Sequence, residues 1–269
     1  PVFGVHALAC VFLTPRQHAE AWTMYKSELP SSCSANLSRR RNPIKHMIKH
    51  LLTLLICLST IAVDKKPNIV IIFLDDSGWA DFRPFGDTPY PTPNAEQLAA
   101  EGCRFNQFYV PQAVCSASRA SLLTGCYPGR HHVYGAIPPR VRGLDPSFPT
   151  MGQVLQAAGY ATGCFGKWHV GDYEETRPPA RGFDESCGLM YSNDMWRHHP
   201  GTDRFDDIPL QFWENGEVVI DDVNPEQQRM LTTWYAEHAV SFIERHQDEP
   251  FFLYVPHNMP HVPLYCSDK

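Results

Sequence analysis

The sequence predicts an α/β domain in which helices cover a parallel sheet, and three observations support this. Residues 67–74, Pro-Asn-Ile-Val-Ile-Ile-Phe-Leu, are a β-branched apolar run ending at Asp75-Asp76-Ser77-Gly78, the pattern of a central strand covered on both faces. Further apolar runs alternate with segments that carry their own helix start and stop residues, as in α/β folds. A chain of 269 residues with 43% hydrophobic content is sufficient for a large core, which excludes intrinsic disorder.

The first strand places the acidic pair at its carboxyl end, the edge where open α/β sheets bind ligands. Thr92 as N-cap, Pro93 at the first helical position and Gly102 after the last turn delimit a short helix. Residues 104–110 read as a second strand. Thr150 and Gln153 make a capping box for a helix through Ala158, closed by Gly159, and residues 160–165 follow as a strand. Asn224-Pro225 opens a longer helix with Leu231, Trp234, His238 and Phe242 roughly one turn apart. Residues 250–255 are again strand-like and end at Pro256-His257. Residues 172–224, rich in Asp, Arg, Pro and Gly with Trp196 and Trp213, read as a long excursion near the site. No internal repeat is present.

The formal charge of −6 divides into +5 for residues 1–62 and −11 for the rest. The acidic body offers no electrostatic footprint for nucleic acid. Residues 1–46 begin with Pro1, show no sustained period, and read as an upstream leader foreign to the mature protein. From Met47 a Met-Ile-Lys-His start, an apolar run over 51–58 and small Thr60 and Ala62 follow. That is signal-peptide grammar over 47–62; a buried core helix is the competing reading. The run is too short to anchor stably across roughly 30 Å of hydrocarbon. The expectation is an exported protein, periplasmic, extracellular or in a lysosome-like compartment, mature from about Val63. The end at Cys266-Ser267-Asp268-Lys269, just past a strand, reads as an interruption of the domain.

Of nine cysteines, Cys10, Cys33 and Cys57 precede the domain. The other six have irregular spacing that fits no metal knuckle, and no pairing is assigned to them. Asp75 and Asp76 are adjacent hard oxygen donors suited to Ca²⁺ or Mg²⁺, though adjacent carboxylates also occur in solvated turns. Cys115, followed by small polar residues and an apolar stretch, falls at a helix N-terminus, where unsatisfied N–H groups favour negative charge. Arg119 lies one turn on. A low-pKa thiolate nucleophile fits this pattern; on the residues alone, a structural Cys beside a surface Arg fits better.

Cys115-Ser116-Ala117-Ser118-Arg119 with Leu123-Thr124-Gly125 resembles the signature of the formylglycine-dependent (type I) sulfatases of the alkaline-phosphatase-like superfamily. Leu74-Asp75-Asp76-Ser77-Gly78, Gly166-Lys167-Trp168-His169-Val170-Gly171 and His261-Val262-Pro263 occur in that family's order. Coverage runs from about Pro67 to the end. The resemblance implies a mixed, mostly parallel sheet flanked by helices and a sulfuric ester hydrolase acting on a sulfated carbohydrate or aryl sulfate. It implies formylglycine made from Cys115 by a formylglycine-generating or sulfatase-maturating enzyme, and Ca²⁺ held by Asp75, Asp76 and residue 115. Arg119 would stabilise the hydrated aldehyde, and Lys167 would bridge it and the sulfate. His169, two residues on along an extended segment, would act as base, and His261 would contact the sulfate and protonate the leaving oxygen. His261 matches the histidine-proline element better than His257 does. His131, His132, His198 and His199 match no motif and read as surface or pocket-rim residues, with His198 and His199 candidates for substrate recognition.

The pattern departs from the family's at Ala117, where Pro is commoner, and at Cys126, where Arg is usual. The family's remaining calcium ligands, an Asp and Asn pair, and a further sulfate-binding Lys would lie beyond Lys269. Two alternatives stand beside the sulfatase reading: a phosphoester or phosphonate hydrolase of the same superfamily, and a non-catalytic sulfated-glycan-binding fragment or pseudoenzyme.

Overall fold

A computed structural model describes Cys10–Val11 and residues 66–268. The chain divides into two units. Pro1–Leu13 with Pro67–Lys269 form the first, and Thr14–Lys66 form the second, which apart from Lys66 lies outside the described residues. The expected signal segment at 47–62, and the leader apart from Cys10–Val11, also lie outside them. No helix among the described residues is long and apolar enough to cross a membrane.

Seven strands form one sheet: β1 (Cys10–Val11), β2 (Ile69–Phe73), β3 (Ala161–Phe165), β4 (Glu185–Leu189), β5 (Phe212–Glu214), β6 (Glu217–Ile220) and β7 (Phe251–Pro256), in the order β1-β2-β7-β3-β4-β5-β6. The inner four, β2, β7, β3 and β4, are parallel, and β1, β5 and β6 pair antiparallel with their neighbours. The sheet is therefore mixed and mostly parallel, as expected. Its fully buried strand is β7, with all six residues inside. In β2 only Ile71 and Phe73 are buried, and Ile72 is 38% exposed, so the run expected to be doubly covered is covered chiefly on one face. An apolar run reports hydrophobicity, not lateral position in a sheet.

The helices are α1 (Pro93–Glu101), α2 (Cys115–Thr124), α3 (Pro128–His131), α4 (Met151–Ala157) and α5 (Pro225–Arg245). The Thr150 and Gln153 capping box is present at α4, and Asn224 with Gln227 forms a second at α5. The face that α5 buries is Gln228, Leu231, Tyr235, Ala239 and Phe242, a stripe at helical spacing. Trp234 and His238, expected on that face, are only half-buried because the stripe drifts past them. Tyr235 stacks on Phe212 at 6.3 Å, and Phe242 meets Phe165 edge-on at 5.7 Å and Phe251 at 5.9 Å. Alternate β7 residues face the opposite layer, where Phe252 and Tyr254 lie 5.8 and 6.4 Å from Phe183.

Residues 104–110 are not a strand: Phe105, Phe108 and Tyr109 stand 62%, 43% and 67% exposed, and the segment carries no strand pairing. An extended pattern becomes sheet only where a neighbour takes its backbone hydrogen bonds. Residues 172–224 are no plain excursion either, since they contain β4, β5 and β6. Gly188 accounts for the difference. Its φ is +138°, and a Cβ there would stand 1.9 Å from the Gly166 carbonyl oxygen. The glycine that reads as a loop signal is what lets β4 close on the end of β3.

Candidate active site

Strand register brings the expected residues to one edge. Phe73 of β2 pairs with Pro256 of β7, and Phe165 of β3 with Cys187 of β4. Asp75, His257, Lys167 and Ser192 thus leave the carboxyl ends of four adjacent parallel strands. Lys167 N–H donates to the Pro256 carbonyl at 2.6 Å, and His169 N–H to the Met190 carbonyl at 3.1 Å. Helix α2 begins at Cys115, directly after Val114 at φ −140°, so the expected placement at a helix N-terminus is observed.

Arg119, Lys167 and Asp75 form a buried ionic group. Arg119 and Lys167 are 0% exposed and Asp75 is 3% exposed. Lys167 Nζ holds Asp75 Oδ2, and Arg119 Nη2 lies 3.5 Å from Oδ1. Arg119 also donates to the Lys167 and His257 carbonyls, the latter at 3.0 Å, and its guanidinium lies 5.2 Å from the Phe73 ring centroid. Arg119 is therefore no surface residue. Burial works against the Asp75 charge, but Lys167 and Arg119 outweigh it and hold the carboxyl well below its usual range. Two buried cations against one buried carboxylate leave a net positive spot, which favours an anionic ligand. Ser192, which no motif marks, accepts from Lys167 Nζ at 2.8 Å.

The Cys115 thiol is pushed up, by burial first and by Asp75, against the pull of Lys167 and Arg119. The low-pKa thiolate that a helix N-terminus allows is thus disfavoured, because desolvation exceeds the local positive field.

His169 is 1% exposed, and its φ of +56° departs from the extended backbone expected. Its Nε2 lies 3.0 Å from the Ile137 carbonyl oxygen, so Nε2 carries the proton, while buried Nδ1 has no partner. Burial, then Lys167 and Arg119, hold its pKa well below the ordinary value, leaving a neutral imidazole with a free lone pair. Ile137 N–H in turn donates to Ser116 Oγ at 3.0 Å, tying the histidine's partner to the residue after Cys115.

His261 Nε2 lies 3.6 Å from Asp76 Oδ2, its side chain 16% exposed. His257 is half-buried, its pKa pushed down to about 4 by burial and Arg119. Of the two, His261 faces the acidic turn. His131 is not at the surface but lines a cleft with His132: it is 3% exposed, accepts at Nδ1 from Val133 N–H at 3.2 Å, and Nε2–H donates to Ser121 Oγ at 3.0 Å. The adjacent helix α2 encloses it. His198 is exposed and lies 3.4 Å from Asp222.

For calcium, Asp75 and Asp76 are the right kind of donor, and Asp76 turns at φ +59°. Asn258, 0% exposed with both amide atoms unpartnered, is a further oxygen donor beyond β7. The donors suit a hard cation in kind but are few: both Asp75 oxygens face cations, and the described residues hold no group of three or more His, Cys, Asp or Glu placed to hold a metal. All six cysteines of the described domain are free. Ser192, Ile137 and Asn258 carry no sequence signal, since their roles arise from tertiary contacts across the strand ends.

A Sulfatase family profile matches residues 67–269. The chain is 39% identical over 224 residues to arylsulfatase G of Rattus norvegicus, covering 74% of this chain and 42% of that protein. It is 35% identical over 239 residues to N-acetylgalactosamine-6-sulfatase of Sus scrofa, covering 81% and 44%. The solved PsFucS1 sulfatase from Pseudoalteromonas sp. superposes with a TM-score of 0.66 at 26% identity, covering 85% of this chain and 50% of that one. The chain therefore spans less than half the length of these curated relatives. With the profile spanning most of its length, it belongs to the sulfatase family.

Proposed function

We propose that this chain supplies the nucleophile-bearing part of a sulfuric ester hydrolase that releases sulfate from a sulfated carbohydrate or aryl sulfate. The observation that carries the reading is Cys115 at the start of α2, beside the buried Arg119, Lys167 and neutral His169. Converted to formylglycine and hydrated, residue 115 would supply the oxygen that attacks sulfur, and deprotonation of its second hydroxyl would then expel sulfate and restore the aldehyde. Lys167 Nζ binds the sulfate oxygens and offsets their charge. Arg119, fixed by the carbonyls of Lys167 and His257, holds the positive field in place. Unpartnered His169 Nδ1 accepts a proton released at residue 115, because Nε2 is committed to Ile137. His261 protonates the leaving oxygen as the sulfur–oxygen bond to the alcohol breaks. Asp75 and Asp76 would hold Ca²⁺, which supplies further positive charge to the sulfate when bound. The name N-acetylgalactosamine-6-sulfatase of one relative supports a carbohydrate substrate. Export, with conversion by a formylglycine-generating or sulfatase-maturating enzyme on the way, follows the 47–62 pattern, and N-terminal sequencing of the secreted protein tests it.

The decisive test is the mass of the tryptic peptide 105–119 from protein made in its native host, expected about 18 Da light at Cys115. Turnover of 4-nitrocatechol sulfate by the same protein should accompany it and vanish in Cys115→Ala. Unmodified thiol throughout, with no sulfate released, overturns the proposal.

A further inference from the structure

His261 sits on a segment that its neighbouring side chains hold weakly. Val262 and Leu264, on either side of Pro263, are 63% and 66% exposed, and Tyr265 meets the buried Trp196 ring edge-on at 6.5 Å. Backbone bonds do more. His261 N–H donates to the Asn258 carbonyl at 3.2 Å, and Asp75 N–H to the Met259 carbonyl at 3.4 Å. The same backbone aims the imidazole: Nδ1–H donates to the Val262 carbonyl at 2.5 Å, and Nε2 lies toward Asp76, 3.6 Å from Oδ2. Whatever fixes residues 262–263 therefore fixes the direction of Nε2.

Asn193 reaches that backbone from the buried side. It is 0% exposed, and its Nδ2 donates to the Pro263 carbonyl at 3.4 Å and to Gln228 Oε1 at 3.2 Å. Gln228, 1% exposed in α5, returns a bond from Nε2 to the Asn193 carbonyl at 3.4 Å. The orientation of the Asn193 amide is set, since both acceptors face Nδ2 while Oδ1 has no partner. A buried donor with two acceptors is expensive to lose, because each acceptor would be left without its bond. Asn193 also directly follows Ser192, which accepts from Lys167 Nζ at 2.8 Å. Residues 192 and 193 thus touch the lysine on one side and the histidine's segment on the other, and α5 braces them.

Resting on the sulfate-ester reading, in which His261 protonates the leaving oxygen, we propose that Asn193, braced by Gln228, is a positioning residue that holds His261 at a fixed place relative to Lys167. It acts through the 262–263 backbone and not on the substrate itself. Proton donor and sulfate-binding ammonium then keep their spacing as the sulfur–oxygen bond breaks and the proton passes from Nε2 to the alcohol oxygen.

A displaced proton donor slows esters in proportion to how much the leaving oxygen needs the proton. Asn193→Asp keeps the side chain's shape but turns an acceptor toward the Pro263 carbonyl. In protein made in its native host, kcat should fall about tenfold or more for phenyl sulfate and less than about threefold for 4-nitrophenyl sulfate, whose phenolate leaves unaided, with KM little changed for either. In a His261→Ala background the same substitution should lower neither kcat further. Gln228→Met removes the brace but leaves the bond to Pro263 possible; it should give the same selectivity at smaller size, and it carries the test if Asn193→Asp does not fold. Equal losses for the two esters, a loss undiminished without His261, or no loss in either variant overturns the proposal. If the parent protein turns over neither ester, the hydrolase reading falls, and positioning is read from the His261 ring alone. With ¹³C-labelled histidine, the His261 Cε1 signal, assigned by its disappearance in His261→Gln, should move in Asn193→Asp, and an unmoved signal overturns the proposal.

Discussion

Asp75 is the residue on which the site's charge balance turns, because it faces both Arg119 and Lys167. Removing it in Asp75→Ala leaves Lys167 and Arg119 uncompensated, and breaking a buried ion pair this way costs about 3–5 kcal/mol. Urea unfolding should show that loss as a lower midpoint. The same carboxyl gives a pH signature. Its folded pKa is depressed, so its stabilisation is present above its unfolded value, about 3.9, and disappears as pH falls toward the lower folded value. Acid unfolding of Asp75→Asn should accordingly be flatter below pH ~4 than that of the parent. Ser116 acts one step removed, through Ile137 on His169. In formylglycine-bearing full-length protein, Ser116→Ala should lower kcat with little change in KM, and Ser116→Thr, which keeps the hydroxyl, should restore it. Equal losses in both variants would mean that only packing was disturbed.

At the scale of elements, helix ends were the most legible features, because capping is local chemistry. Thr150 Oγ1 accepts from Gln153 N–H at 3.3 Å and donates to the Arg181 carbonyl at 2.6 Å. Thr150→Ala should therefore cost about 1–2 kcal/mol, read by thermal unfolding. Strands were less legible, since membership depends on neighbours: 104–110 has the pattern without pairing, and β4 has pairing without the pattern. The end of α5 carries a device that no periodicity reveals. His246 lies 3.2 Å from Glu185 at the start of β4 and 2.7 Å from Glu249. Burial opposes its charge, but Glu249 and Glu185 prevail and raise its pKa. Its contribution is complete below the unfolded value, about 6.5, and is lost as pH rises through the higher folded one. His246→Gln should remove that slope from a plot of Tm against pH.

Across the whole molecule, charge is arranged with opposite signs at two scales. Residues 63–269 sum to −11, while the buried charge group at the strand ends has two cations to one carboxylate. The first was legible from composition; the second required Arg119, Lys167 and Asp75, 92 residues apart at the extremes, to be brought together by four parallel strands. The motifs could name those residues, but their burial and the tautomer of His169 follow from packing. A negative body repels polyanions over the Debye length, about 8 Å at physiological salt, whereas a desolvated positive spot attracts a single small anion. Inorganic sulfate should therefore stabilise the protein saturably, by about 2.7 kcal/mol at a hundredfold excess over its Kd. At roughly 2–4 °C per kcal/mol for a domain of this size, Tm should rise by about 5–11 °C, and an equal ionic strength of chloride should give much less. Duplex DNA at low salt should show no binding. Stabilisation by chloride equal to that by sulfate would mean bulk screening of the acidic surface, with no specific anion site at the strand ends.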